Sequence, residues 1–382
     1  MKLVNIDKID NIDKIDKIDK IDGERVYWLG FSAFNGIGPK RFALLKNYFG
    51  SAKKAWEAKE KELVGIGLDL KIVTNFLKFR SSFDLSSYYL RLCEKKIECY
   101  FLDGENYPEN LKKIDNPPFV LYVKGVIRPQ DELSVAVVGT RKMSGYGGQV
   151  TESLVADLVA NGLTIVSGLA RGIDSAAHKS ALSAGGQTIG VLACGLDRVY
   201  PPENEKLVEE ICAGHGAVVS EFPLGMEAVP GNFPARNRII SGLSLGTVVI
   251  EGAEDSGALI TARHAADQGR EVFAVPGQIT SRNSAGPASL IKMGAKLVWD
   301  VNDILEELNI STKRKAQRAK QVLPESPEEE SLLSLLKDEG KHLDQLVRES
   351  GFDTAKVASI MTMMEIKGKV RNLGNMVYAI NK

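Results

Sequence analysis

Four arginines of this chain lie in or beside glycine-rich stretches. They are Arg141 in Gly139-Thr140-Arg141, Arg171 in Ser167-Gly168-Leu169-Ala170-Arg171, and Arg236 and Arg238 in Phe233-Pro234-Ala235-Arg236-Asn237-Arg238. A guanidinium is a planar fork that suits two oxygens of one phosphate. Glycine has no Cβ, so backbone amides can approach a ligand closely. Ser144 and Ser167 add hydroxyl donors, and Asn237 adds an amide. Phe233, in a Gly/Pro-rich loop, offers a ring on which a base could stack. The chemistry of the set is anion binding: several phosphates with an aromatic beside them, hence a nucleotide or a single nucleic-acid strand. Any one of these arginines read alone is equally an ordinary surface residue. The reading rests on four of them meeting at one edge.

The elements that must position them run from about 96 to 310. Val135-Ala136-Val137-Val138, Thr164-Ile165-Val166, Ile189-Gly190-Val191-Leu192, Ala217-Val218-Val219, Thr247-Val248-Val249-Ile250, Val272-Phe273-Ala274-Val275 and Lys296-Leu297-Val298-Trp299 are short, apolar and not alternating. Strands buried on both faces of a parallel sheet read this way. Helix-like segments of ten to twenty residues separate them, as βαβ crossovers require. The predicted fold is α/β, a doubly wound, mainly parallel, extended Rossmann-like sheet. Glu98-Cys99-Tyr100-Phe101 and Phe119 to Val123 are expected to add strands at its margin. Ligands of such sheets sit beyond the carboxyl ends of the strands, where helix N-termini also favour anions. Each arginine falls in a segment predicted for that edge.

The flanks read differently. Residues 1–22 carry a three-residue repeat, with Ile at 6, 9, 12, 15, 18 and 21. A period of three matches neither helix nor strand, so this is a low-complexity appendage. Residues 23–95 read as a small helical domain of SAM or helix-hairpin-helix type, with Gly36-Ile37-Gly38 and Gly65-Ile66-Gly67 as turns. Pro39 suits a helix start and Gly50 a C-terminal cap. Lysines between 38 and 61 make this stretch basic, which fits either phosphate contact or a solvated helix face. Residues 311–330 form a linker with a basic block followed by an acidic one. Residues 331–382 show three helices and a hairpin, the winged-helix pattern, with Lys356 and Lys367 as the cations of its third helix. Few cations there argue against sequence-specific duplex binding and leave a protein-contact module open.

The composition narrows the choice of function. The chain has 382 residues, with 49 Lys+Arg against 49 Asp+Glu, so any nucleic-acid signal must be local. The 4 Cys form no CxxC pair, which excludes a zinc ribbon or thioredoxin-type site and fits a reducing compartment. No apolar run reaches the ~18 residues of a membrane span, and no secretory leader is visible, so a cytoplasmic protein is expected. The chain lacks GxxxxGK[ST], a GxGxxG after a strand, GxSxG and HExxH. Its 4 His have no metal-ligand spacing, so neither metal nor cofactor is expected. Asp174 and His178, four apart on a helix, read as a local hydrogen bond.

Longer motifs carry a resemblance. VVGTRxxSxYG (137–147), VSGLARGIDSAAH (166–178), GVLACGLDxVYPPEN (190–204), SEFPLG (220–225), FPARNRIISGLS (233–244), the 248–277 stretch ending AVPG and GAKLVWDVNDIL (294–305) resemble DNA-processing protein A, the DprA/Smf family. The likeness is close over 135–305 and loose in the flanks. It implies a cytoplasmic bacterial protein that binds single-stranded DNA, shields incoming strands during natural transformation and loads RecA onto them. It also implies a homodimer without catalytic turnover. The family's GxR arginine lands on Arg141, and its aromatic-Pro-x-Arg-Asn-Arg segment on Phe233 to Arg238. Gly139, Ser144, Ser167, Gly168 and Arg171 complete the expected DNA site. Some members place a basic residue in the YPxxN segment, where this chain has Pro202 and Glu203; Lys206 is the nearest cation.

Two rival readings stay open. A nucleotide-binding or nucleoside-monophosphate-processing enzyme would use the same edge, with Glu251 or Asp255 acting on a glycosidic bond. Against it, no acid follows Gly257, whereas related phosphoribohydrolases carry a catalytic Glu there. The other rival is an adaptor whose terminal domains hold partner proteins.

Overall fold

A computed structural model describes residues 23–310, 324–336, 340–374 and 376–380. The repeat at 6–22 and the basic block at 312–320 lie outside the described residues. Two compact units divide near 311.

The first unit opens with six helices: α1 (Arg25–Ala33), α2 (Pro39–Phe49), α3 (Ala52–Glu57), α4 (Glu60–Gly65), α5 (Leu70–Ser82) and α6 (Leu85–Glu94). Pro39 begins α2, where its missing N–H costs nothing, and Gly50 ends it in the left-handed conformation at φ 77°. These helices share an apolar core with the sheet. The Phe42 ring stacks on Phe119 at 4.0 Å between centroids, and the Tyr88 hydroxyl donates to that of Tyr122 at 3.1 Å. At the N-terminus of α3, the Ala52 and Lys53 amides donate to the Glu24 carboxylate, so this end already holds an internal anion.

The sheet follows: β1 (Glu98–Phe101), α7 (Glu109–Lys112), β2 (Val120–Gly125), β3 (Ser134–Val138), α8 (Gly145–Ala160), β4 (Thr164–Ser167), α9 (Ile173–Ser183), β5 (Thr188–Val191), α10 (Glu205–Cys212), β6 (Gly216–Ser220), α11 (Asn232–Leu243), β7 (Gly246–Val249), α12 (Gly257–Asp267), β8 (Glu271–Ala274), α13 (Ala285–Lys292), β9 (Lys296–Leu297) and α14 (Val301–Glu307). Among the described residues the strands order as β1-β2-β6-β5-β4-β3-β7-β8-β9. From β6 to β9 every neighbour is parallel, while β1 and β2 are antiparallel at the margin. The five strands β3 to β7 are buried throughout, which is why they carry Val and Ile without alternation. Helices cover both faces. Residues of α8, α9 and α14 pack on one, and residues of α11, α12 and α13 on the other. The fold is the expected doubly wound sheet.

The chain winds from β3 through β4, β5 and β6 in one direction and from β7 to β9 in the other. β3 and β7 lie side by side, so the crevice beyond their carboxyl ends is the topological switch point.

The second unit holds α15 (Pro327–Leu335), β10 (Lys341–His342), α16 (Leu343–Ser350), α17 (Thr354–Ile366), β11 (Val370–Asn372) and β12 (Val377–Ile380). Its strands order as β10-β12-β11, a winged helix. Asp353 caps α17 by accepting from the Lys356 amide at 2.9 Å. Sequence reading misses β10, because two residues show no periodicity. The cations of α17 and its C-cap are engaged: Lys356 pairs with Glu328 at 3.2 Å and Lys367, the residue after the helix, with Glu325 at 2.5 Å.

Candidate nucleic-acid interface

One expectation needs correction at once. The stretch holding Phe233 to Arg238 is not a loop but the start of α11. Pro234 is the third helical residue, where its absent N–H would have had no intrahelical partner. Helical phase then sorts the side chains. Phe233, Arg236, Asn237 and Ile240 fall on one face at i, i+3, i+4 and i+7, and Arg238 points elsewhere.

That face meets the carboxyl ends of β3 and β4. Arg141, Phe233, Arg236, Asn237 and Gly139 border a cavity of about 280 Å³, completed by Ser256 and Gly257 at the start of α12. A second, smaller cleft adjoins it, bordered by Arg141, Gly168, Arg171, Tyr200, Phe233 and Arg236. Arg141 and Phe233 stand at both. The Arg141 guanidinium carbon lies 5.1 Å from the centre of the Phe233 ring, a cation–π arrangement. Tyr200 approaches Phe233 at 5.7 Å, tilted by 59°. Tyr200 is an aromatic that sequence reasoning passed over. Its place at the end of a strand loop, before two prolines, is the signal that could have found it.

Three of the four arginines, Arg141, Arg171 and Arg236, meet at the second cleft, and Arg238 does not. Arg141 and Arg171 are exposed on loops. Arg236 is buried, and its Nη1 donates to the carbonyl oxygens of Gly168 and Val191. Its Nε donates to Asn237 Oδ1 at 3.2 Å, and Asn237 Nδ2 donates to the Gly257 carbonyl at 3.2 Å. Burial lowers the Arg236 pKa to about 10, partly opposed by Asp174. Arg236 therefore ties together the ends of β4 and β5 from inside. Arg238 forms an ion pair with Glu221 on the other side of α11, both side chains 13% exposed, and borders neither cleft. Lys206, exposed on α10, borders neither either.

The serines are also committed. Ser167 Oγ donates to the Val137 carbonyl at 2.7 Å and is fully buried. Ser144 caps α8 by accepting from the Gly147 amide at 3.0 Å, while its own hydroxyl donates to Glu251 at 2.5 Å. Both hydroxyls hold the loops in place and have no proton left for a ligand. Gly168 is required by close packing. A Cβ there would meet Asp174 Oδ2 at 2.7 Å and the Arg236 Cζ at 2.9 Å.

The acids proposed for the rival enzyme are placed unfavourably. Glu251 is buried and receives both the amide and the hydroxyl of Ser144. Asp255 is 81% exposed and lies 3.8 Å from Arg282. Among the described residues no three His, Cys, Asp or Glu are grouped to hold a metal ion.

Asp174 and His178 do not bond each other. Asp174 accepts from the Ala170 amide at 3.4 Å beside Arg236. His178 Nδ1 lies 2.7 Å from Thr188 Oγ1, whose own proton goes to the Ile165 carbonyl at 2.7 Å. His178 Nδ1 therefore carries the hydrogen, and the ring is neutral. Burial, then the nearby Arg236 charge, lower its pKa to about 3. The unfolded state binds a proton between that value and the ordinary one, so stability falls as pH drops below about 6.5. One such group costs about 1.4 kcal/mol per pH unit there. His178→Asn is expected to remove that slope between pH 6 and 5 in chemical denaturation. An unchanged difference between the two pH values would show that other groups carry it.

Comparisons with known proteins agree with this fold. A family model described as DNA recombination-mediator protein A matches residues 98–309, and one for the DprA winged helix domain matches 315–376. Protein Smf of Synechocystis is 33% identical over 93% of this chain and 98% of its own. DNA processing protein DprA of Bacillus subtilis is 44% identical over 56% of this chain and 72% of its own. The solved structure of DNA processing protein A from Streptococcus pneumoniae shares 36% identity at a TM-score of 0.65, covering 75% of this chain and 98% of that one. That from Helicobacter pylori, described for its single-stranded DNA binding mode, shares 31% identity at a TM-score of 0.50 over 56% of this chain and 96% of that one. With residues 98–309 and 315–376 matched by the two family models, and a relative 33% identical over 93% of it, the chain belongs to the DNA recombination-mediator protein A family, DprA/Smf.

Proposed function

We propose that this chain is a recombination mediator that binds single-stranded DNA along the carboxyl edge of its sheet. In this reading it shields incoming strands during natural transformation and loads RecA onto them. It works in the cytoplasm, as a homodimer and without catalytic turnover. The observation that supports the strand reading most is the Arg141–Phe233 pair at the mouth of both clefts. A cation for phosphate, on the loop after β3, and a ring for a base, on the first turn of α11, stand within one nucleotide's reach, anchored from below by Arg236 and Glu251. Exposed single strands have bases free to leave the stack, whereas a duplex hides them. The confinement of Glu251 in the Ser144 hydrogen bonds supports binding over hydrolysis.

The test is fluorescence anisotropy of labelled oligo-dT from one nucleotide to about thirty, at two salt concentrations, against a duplex. Affinity that grows with length, falls with salt and favours single strands is expected. Saturation by a mononucleotide would move the assignment to the nucleotide enzyme. Phe233→Ala is expected to weaken oligo-dT binding by roughly 1–3 kcal/mol, the stacking of one base. Equal affinity of the variant and the parent would remove Phe233 from the site.

A further inference from the structure

Arg171 borders the smaller cleft, yet it is not free. Its Nε donates to Glu203 Oε1, with the two side chains 60% and 47% exposed. Other bonds set the two residues side by side. Glu203 sits in a single turn, Pro202–Asn204. Asn204 is buried, and its Nδ2 donates to the Leu169 carbonyl at 2.7 Å and to Ser175 Oγ at 2.9 Å. Ser175 Oγ in turn donates to the Ala170 carbonyl at 2.5 Å. Leu169 keeps a positive φ of 54° in this setting. The segments on either side of the ion pair are thus locked together, and the carboxylate faces the guanidinium without needing to search for it. The hydrogen bond from Arg171 holds the Glu203 carboxyl below its ordinary pKa, so it stays ionised.

We propose that Glu203 is a built-in competitor for phosphate: it occupies Arg171 and places a negative charge at the rim of the strand site. This rests on the single-strand reading above. A phosphate approaching Arg171 must displace the carboxylate or bind beside it against like-charge repulsion. Either way the strand is held less tightly than the count of arginines suggests, and Arg171 adds little to the salt dependence. The site is tuned for release as well as capture.

The experiment is a double-mutant cycle on the full chain, read by oligo-dT anisotropy over a salt series. Glu203→Gln removes the charge and keeps the shape. It is expected to tighten binding about three- to fivefold at low salt and to steepen the slope of log affinity against log salt by about 0.7, one further phosphate on a single strand. In an Arg171→Ala background the same change is expected to gain less than about twofold, the residue of general charge. An unchanged affinity and slope for Glu203→Gln would overturn the proposal. So would an equal gain in both backgrounds, because the effect would then be net charge alone. Failure of the parent chain to bind oligo-dT would overturn the strand reading itself, which separates the two failures.

Discussion

Replacing Arg141 by alanine is expected to weaken oligo-dT binding by at least tenfold while leaving the fold intact. Arg141 is exposed and borders both clefts, and its guanidinium lies over the Phe233 ring. It can give a phosphate two donors and hold the ring in its stacking pose at the same time. Removing it should cost one phosphate contact, lowering the salt slope by about 0.7. It should also free the ring to rotate, lowering stacking. Stability should move by no more than about 1 kcal/mol, the worth of an exposed cation–π contact. Arg141→Lys separates the two contributions: the ammonium restores charge, hence the slope, but not the planar stack, hence only part of the affinity. A parent-like slope for Arg141→Ala would mean that no strand phosphate meets this residue.

The sheet was legible because its strands are buried on both faces and so spell themselves in Val and Ile. Short runs such as 134–138 and 246–249 need no alternation to be recognised. The edge was legible too, since glycine-rich turns follow those runs. The division of labour among the arginines was not. Arg141 and Arg236 both follow a strand, a turn and small residues, and composition treats them alike. Their difference is helical phase: Arg236 lies one turn beyond Phe233 on the face that points into the sheet edge, whereas Arg238 lies two residues further and turns toward Glu221. Reading Phe233 as part of a loop concealed that phase. The serines were misjudged for a related reason. A hydroxyl at a strand end serves a backbone carbonyl or a helix cap as readily as a ligand, and only the partners at Val137 and Glu251 decide. Arg171 borders the smaller cleft, and its pairing with a glutamate 32 residues away is a tertiary fact that no local spacing encodes.

Arg236→Ala should behave in the opposite way to Arg141→Ala: the fold should suffer first. Its guanidinium is buried, bridges the carbonyls of Gly168 and Val191, and stands beside buried Asp174. Truncation leaves two carbonyls without a donor and a carboxyl without its counter-charge. Leaving the two buried carbonyls unsatisfied costs about 1–3 kcal/mol each. In a unit of this size that lowers the melting temperature by roughly 10 °C. Lysine should not restore it, because a single ammonium cannot reach two carbonyls and the Asn237 amide oxygen in one plane. Strand binding should then fall as a consequence, since the loops of Gly168 and Arg171 lose the anchor between β4 and β5. The order of effects decides the assignment. A variant that melts like the parent yet loses strand affinity would make Arg236 a phosphate ligand. A variant that melts early, and recovers binding at low temperature where it is folded, would make it the support beneath the site.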